Sequence, residues 1–387
     1  MNVVFVSPHF PPQFHQFCTA LKERGVTVLG LGDTPGHDVR PEVHAALSEY
    51  YFAPLERYDE ALKAMGYFVW KHGRIDRIDS HNEHWLGVEA RLREDFNVPG
   101  PRAAQVAEWR SKSGMGRLFR EAGVRYPESK LVEGPDSVRA FAKRHGFPIV
   151  LKPDLGVGAS RTFRADNEAS LNALLREPLQ GYLMQPFIAG RIVSYDGLVD
   201  AKGRILFETA HVYSHGVMDV VTKGLDVSYY NWREVPEALR ELGVSTVNAF
   251  GIRERFFHVE FFELPDGGYW ALEINVRPPG GFTVDMMNYS ADIDLFRLWA
   301  AMLTGDPLED FTYERRYHVA HVARRAWRPY RYSHSQLREL LGESLVVHQP
   351  VPRAFSGAMG DEMYLIRDRE EGALLEAIAA IQATTAG

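Results

Sequence analysis

Residues 256–281, FFHVEFFELPDGGYWALEINVRPPGG, constrain the chain more than any other stretch. Two runs rich in β-branched and aromatic residues, FFHVEFF and YWALEINV, flank Pro265-Asp266-Gly267-Gly268, which reads as a β-hairpin with a short loop. Side chains alternate faces along a strand, so Glu273 and Asn275 share one side. Glu260 lies on the partner strand, at a distance from the turn that lets it oppose them. Two carboxylates and an amide oxygen on one sheet face make a hard oxygen site, of the kind that holds Mg2+ together with substrate phosphates. Both carboxylates stand among Phe, Val, Ile and Leu, where a bare charge is costly without a partner. A solvated hairpin face with incidental acids is the plainer reading. Against it stand the next residues, Arg277-Pro278-Pro279-Gly280-Gly281. A guanidinium two residues past Asn275 stays on the same face, and the glycine pair lets backbone approach a bound anion.

Upstream, FPIVLKPDLGVGAS (residues 147–160) is an apolar run, then Lys152-Pro153, then a glycine-rich loop. A buried strand that delivers a lysine into such a loop suits phosphate, because the ammonium is a point charge and free backbone N–H groups donate. Taken alone, Gly156 and Gly158 fit an ordinary turn equally well, and the segment does not follow the P-loop pattern. SKSGMGRLFREAGVRYPES (residues 111–129) opens with Ser111, a reasonable N-cap, and ends with Gly123 ahead of Pro127. Its Met115, Leu118, Phe119 and Ala122 fall at helical spacing and form a core stripe. Lys112 differs, since a helix N-terminus disfavours a cation unless an anion is present; an exposed surface lysine is the alternative. GYLMQPFIAGRIVSYDGLVD (residues 181–200) reads as strand, connector, strand, and VVTKGLDVSYYNWREVPEAL (residues 220–239) carries Lys223 before a tyrosine pair.

In this order and spacing the chain resembles the ATP-grasp superfamily over residues 1–305, with the specific motifs between 112 and 281. The resemblance implies a magnesium triad of Glu260, Glu273 and Asn275, a site that would also accept Mn2+. It implies ATP contacts from Lys112 and from Lys152, the latter at the α/β-phosphates. Gly156, Gly158 and Ser160 would belong to a mobile phosphate loop, with Arg161 where many relatives carry glycine. Gln185 would accept from the adenine amino group in place of the commoner Glu, with the backbone of Phe187 and Ile188 at the ring edge. Val150, Phe262 and Leu272 match the positions that sandwich the ring. Lys223 matches a γ-phosphate lysine, or is a loop lysine. Ile192 stands where relatives often carry a ribose-binding Glu, which moves attention to Arg191 or Asp196.

The chain has 387 residues, 45% apolar and 25% charged, an ordinary globular composition for two to three domains. A net charge of −7 and the lack of any long basic run argue against a nucleic-acid partner. Cys18 is the only cysteine, so no internal disulfide is possible, which fits a reducing cytoplasm. MNVVFVSPHF reads as a short strand rather than a signal peptide, and no run of 18 apolar residues predicts a membrane span. Fifteen histidines invite a zinc reading, with loose pairs at His81 and His84, His9 and His15, and His318 and His321. No cysteine partner or HExxH pattern accompanies them. Ser7 and Ser80 lack the context of a nucleophile elbow.

The predicted fold class is α/β with α+β, an ATP-grasp fold behind a Rossmann-like leading domain. Residues 1–100 alternate strands (VVFVS, VTVLGLG, RIDRIDS) with helices over 13–24, 59–72 and 83–95, implying a small parallel sheet. Ser7-Pro8-His9 and His81-Asn82-Glu83 would line the crevice at its strand ends. In ATP-grasp enzymes such a domain borders the substrate site, so Glu83 is a candidate for a substrate amine, or an acid at a helix N-terminus. Residues 101–180 would form the first half of the grasp with its glycine-rich loop. Residues 181–309 would form the second half, with the metal site and a helix over 292–303. Residues 310–387 read as a small α/β appendage of three strands and a helix over 370–382, suited to shaping an acceptor pocket or a homodimer contact.

The resemblance points to the carboxylate–amine ligase branch, ADP-forming enzymes that include amino-acid and dipeptide ligases. Such an enzyme moves the γ-phosphoryl of ATP to a carboxylate, and an amine then attacks the acyl phosphate. The chemistry needs charge neutralisation and positioning more than a nucleophilic side chain. Arg277 would stabilise the carboxylate and the oxyanion, with Gly280 and Gly281 in the substrate cradle. His258 shares the face of Glu260, where relatives often have Arg. It would donate to substrate or act as a base near neutral pH, or is a satisfied structural histidine. The expected partners are a small carboxylate and an amine, with no membrane. A small-molecule kinase on the same fold and a non-catalytic nucleotide-binding regulator are the rival readings.

Overall fold

A computed structural model describes the chain except for residues 157–160, 217–219, 221–223 and 386–387. Gly158, Ser160 and Lys223 therefore lie outside the described residues. The apolar N-terminal run forms β1 (Asn2–Val6), which pairs in parallel with β2 (Thr27–Gly32) and β4 (Arg77–Asp79). With β3 (Glu49–Phe52) outside β2, the order is β3-β2-β1-β4. Strand order reverses beside β1, so the crevice opens past the carboxyl ends of β1 and β4. Both strands leave the sheet through left-handed backbone, at Ser7 (φ 56°) and His81 (φ 53°). Residues held so are strained and persist only where their surroundings over-determine them. For His81 the surroundings are rings: Phe17 at 4.2 Å, Trp299 at 4.6 Å and Phe256 at 5.6 Å between centroids. Its side chain is therefore core, not crevice lining, and burial pushes its imidazole down to about 4.

A second, antiparallel sheet has the order β5-β8-β6-β7, with β5 (Lys130–Leu131), β6 (Ile149–Pro153), β7 (Phe163–Ala165) and β8 (Tyr182–Pro186). β8 pairs with β6, so this unit extends past residue 180 by a whole strand. Ile149 and Leu151 pack on helices Pro135–His145 and Glu168–Leu174, which by alternation turns Val150 and Lys152 to the other face.

The third sheet is antiparallel throughout and has eight strands in the order β13-β12-β9-β10-β11-β14-β16-β15. Its members are β9 (Arg191–Val199), β10 (Ile205–Tyr213), β11 (Ser228–Trp232), β12 (Arg255–Glu263), β13 (Tyr269–Asn275), β14 (His318–Arg324), β15 (Leu345–Pro350) and β16 (Glu362–Asp368). Phe257, Val259 and Phe261 of β12 face a core shared with helices Lys112–Glu121 and Glu237–Ala249. Phe256, on the opposite face, packs with Phe17 and Trp299 against the N-terminal unit. β14 pairs with β11, so the C-terminal strands continue this sheet rather than standing apart from it. Long-range pairing of this kind leaves no local signal in the chain.

A buried charge cluster docks the N-terminal unit on β12. Arg255 Nη2 lies 2.9 Å from Asp79 Oδ1 and 3.4 Å from Glu89 Oε2, and Arg93 Nη2 donates to Glu89 Oε2 at 2.7 Å. Two cations thus balance two anions at the root of the strand that carries Glu260.

Candidate active site

Pairing of β12 with β13 sets Glu260 directly opposite Glu273 and His258 opposite Asn275. The turn between them is closed by Gly267, at φ 81°, whose N–H bonds Leu264 O at 2.9 Å. Strict alternation would place Leu272 and Glu273 on opposite faces. The register instead shifts between Glu260 and Phe261, with Phe261 opposite Ala271, which makes Leu272 the extra residue of a β-bulge. Ala271 keeps its place in the core beside Phe261, and Ile274 keeps its own. Leu272 and Glu273, both half-buried, stand between them on the side of Glu260.

Like charges directly opposite on neighbouring strands repel. Around Glu260 and Glu273 the described residues bring cations from two other elements. Ser111 caps helix Lys112–Glu121, accepting from Gly114 N at 3.2 Å, and this starts the helix at a buried Lys112. Lys112 Nζ lies 4.0 Å from Glu273 Oε2 and donates to Gly156 O at 2.9 Å. Lys152 is buried on the face of β6 opposite Ile149 and Leu151, where it interacts with the charges of Glu273, Lys112 and Glu260. Burial holds its ammonium down at about 8, against the pull of the two carboxylates. Asp154 fastens the loop to the helix, accepting from Ser113 N at 2.8 Å and Ser111 Oγ at 2.9 Å.

Val150 pairs with Gln185 across β6 and β8, next to Lys152 on the same face. Gln185 is buried beside the Tyr126 hydroxyl, and its Nε2 makes no close hydrogen bond among the described residues. A buried, unpaired amide donor is costly, and a heteroaromatic base with ring nitrogens would satisfy it. Phe187 and Ile188 form the half-buried connector to β9, with Arg164 stacked 4.1 Å above the Phe187 ring. Val150, Phe262 and Leu272 are likewise half-buried apolar side chains. These residues fit an adenine ring in chemistry. The ribose candidates do not: Arg191 Nε donates to Glu263 Oε2 at 2.8 Å, and Asp196 is fully buried.

For the metal, no three His, Cys, Asp or Glu side chains are arranged to hold an ion by themselves among the described residues. Two opposed carboxylates and an amide do not make a complete protein cage. They fit Mg2+, which keeps waters and phosphate oxygens in its shell.

Arg277 follows β13 by two residues. Its Nη1 donates to Pro278 O at 2.7 Å, and its Nε lies 3.8 Å from Glu83 Oε2 of the N-terminal unit. Arg110 Nε approaches the other oxygen of Glu83 at 3.6 Å. Glu83 is buried, which raises its carboxyl, while Arg277 and Arg110 pull it down. The structure thus brings Glu83 next to Arg277, two residues past the end of β13. Gly280 is exposed, with open space where a Cβ would stand. Gly281 stands at φ 63°, left-handed backbone that favours glycine, and a Cβ there would also push aside the Met359 methyl. Its carbonyl accepts from Gln13 Nε2, a contact that sequence reasoning missed.

His258 is satisfied on both ring nitrogens. Nε2 donates to Glu260 Oε1 at 3.0 Å, and Nδ1 donates to Asp196 Oδ1. Burial opposes its charge, but the two carboxylates prevail and hold it up at about 10. An imidazolium with both N–H groups engaged has no lone pair for a base, so this arrangement fits a structural histidine between two carboxylates.

No family model matches the chain. Among solved structures, the L-amino acid ligase of Bacillus licheniformis superposes with a TM-score of 0.75 at 16% identity, covering 97% of this chain and 95% of the other. The N5-carboxyaminoimidazole ribonucleotide synthetase of Thermus thermophilus gives 0.72 at 17% identity, covering 100% and 99%. The fold is ATP-grasp. A third ATP-grasp neighbour, the biotin carboxylase domain of 2-oxoglutarate carboxylase from Hydrogenobacter thermophilus, gives 0.65 at 14% identity over 95% and 86%. That protein was solved with MgADP, ADP and bicarbonate. Among the described residues of this chain no helix is long and apolar enough to cross a membrane.

Proposed function

We propose that the chain is an ATP-dependent carboxylate–amine ligase. The observation that carries this reading is the register that sets Glu260 opposite Glu273, with Lys112 and Lys152 across the cleft and Arg277 beside Glu83. The likeness to an L-amino acid ligase and to other ligases of the same fold supports it.

In this reading Lys112 and Lys152 bind the phosphates, and Gln185, Val150, Phe262 and Leu272 hold the base. Glu260, Glu273 and Asn275 would hold Mg2+, which neutralises phosphate charge when bound. Arg277 presents parallel N–H donors to the carboxylate and keeps them on its oxygens as negative charge develops. The terminal phosphoryl group passes from ADP oxygen to a carboxylate oxygen. The amine then forms the C–N bond, phosphate leaves with the C–O electrons, and the amine gives up a proton. Glu83 orients the amine-bearing partner from the N-terminal unit.

The test is ADP release over a panel of paired amino acids, with hydroxylamine added as a trap. An acid-dependent hydroxamate is the expected result, because only an acyl phosphate yields one. ADP release with a phosphate ester and no hydroxamate would instead make the protein a kinase. No turnover across the panel would overturn the reading.

A further inference from the structure

The even-numbered face of β12 continues into β9 as a chain of buried hydrogen bonds that the proposed reaction does not use. Register places Asp196 opposite His258 and Ser194 opposite Glu260. Asp196 and Ser194 are both fully buried. One Asp196 oxygen accepts from His258 Nδ1. The other accepts from His211 Nδ1 at 2.7 Å and from Ser194 Oγ at 2.5 Å. His258 Nε2 then reaches Glu260 Oε1 at 3.0 Å. Three donors from β9, β10 and β12 thus hold one carboxylate, and that carboxylate holds the ring that holds Glu260.

We infer that Asp196 is a positioning residue: through His258 it fixes Glu260 so that one carboxylate oxygen is occupied and the other is presented to a divalent cation. The inference rests on the metal site proposed above. A free Glu on a strand samples several rotamers and would lose that freedom on binding a cation. A Glu260 already bonded through Oε1 has lost much of it in advance. Outer hydrogen bonds of this kind set how tightly a metal is held. The arrangement is specific in its direction: His258 can orient Glu260 only while Asp196 orients His258, because a ring held at one nitrogen alone swings about χ2.

The test reads metal binding, not turnover. Mn2+ is titrated into protein saturated with ADP, and free Mn2+ is followed by electron paramagnetic resonance. Asp196→Asn keeps the shape but puts an N–H2 group against one of its donors. It is expected to weaken Mn2+ binding by on the order of tenfold or more, while ADP affinity without divalent cation stays at the wild-type value. Ser194→Ala removes one of the three donors, whose hydroxyl donates to Asp196 and not to a candidate ligand, and is expected to weaken Mn2+ roughly threefold, a single modest hydrogen bond. Wild-type Mn2+ affinity in a folded Asp196→Asn protein would overturn the inference. Should that variant not fold, wild-type Mn2+ affinity in Ser194→Ala would overturn it. A wild-type protein that binds no Mn2+ with ADP is a different failure, because it removes the metal site itself.

Discussion

Glu83 Oε2 and Arg277 Nε face each other at 3.8 Å across the junction between the N-terminal sheet and the large antiparallel sheet. The pair is too long for a hydrogen bond and too buried to be a surface ion pair. In the proposed reaction, this spacing would let both groups reorganise around a substrate that carries a carboxylate and an amine.

Arg277→Lys keeps the charge of that pair and loses the planar fork. Turnover is expected to fall on the order of a hundredfold, the loss typical of one oxyanion donor. Affinity for a non-hydrolysable ATP analogue should be unchanged, since the oxyanion develops after ATP is bound. Calorimetry and acid-dependent ADP release separate the two. Retained turnover with weakened nucleotide binding would make Arg277 a nucleotide residue.

Glu273→Ala is expected to abolish ADP release while the protein stays folded. It removes one of two opposed carboxylates and leaves Glu260 held by His258. Circular dichroism reports the fold and coupled ADP detection the activity. Near wild-type release at ordinary Mg2+ concentrations would discard the metal assignment.

Lys152→Met should act in opposite directions on binding and on stability. Loss of a desolvated phosphate contact weakens ATP-analogue binding by about tenfold or more, the equivalent of about 1.5–3 kcal/mol. Without nucleotide the sign reverses. The ammonium is pushed down by burial to about 8, below its ordinary 10.5. The unfolded chain therefore binds the proton more readily, and the charged lysine costs stability below pH 8. That cost shrinks as pH rises from 8 to 10.5, so the variant should melt higher than wild type at pH 7 and by less at pH 10.5. Equal melting temperatures at pH 7 would count against a buried, charged Lys152.

Arg255→Leu strands Asp79 and Glu89 in the core. Breaking a buried ion cluster from one side typically costs about 3–5 kcal/mol, to be read from urea denaturation at pH 7. Burial raises the Asp79 carboxyl, but Arg255 and its neighbours prevail and lower it from 3.8 to about 2. A depressed acid contributes stability that is present above pH 3.8 and lost as pH falls toward 2. The gap between variant and wild type should therefore narrow across that interval. A gap that is constant down to pH 2 would mean that Arg255 acts by packing alone.

The parts of the site carried by one hairpin were legible because turn, alternation and ligands lie within 22 residues, from Glu260 to Gly281. Lys112 was legible as a cation at a helix start, where the local field makes it anomalous. Other features depend on partners far away in sequence. β8 belongs with β6, and β14 with β11, through pairings that no local periodicity encodes. His81 read as a crevice residue because the chain gives no sign of the left-handed turn that sends its ring inward. Asp196 looked available for a ribose because its two histidines arrive from β10 and β12.

The extra residue at Leu272 lets one strand serve two tasks with adjacent side chains. On a regular strand, neighbours point apart, and an apolar wall for a base and a carboxylate for a cation would have to stand two residues from each other. The bulge puts Leu272 and Glu273 side by side, so in the proposed site the spacing between base and cation would be written into the backbone. Removing Leu272 would restore regular pairing with Glu273 still opposite Glu260, and only the apolar side chain would leave the cleft. Inserting a residue between Leu272 and Glu273 would do the reverse, either widening the bulge or turning the carboxylate into the core opposite Val259. The hairpin therefore tolerates shortening at this point better than lengthening, an asymmetry that no count of its candidate ligands reveals.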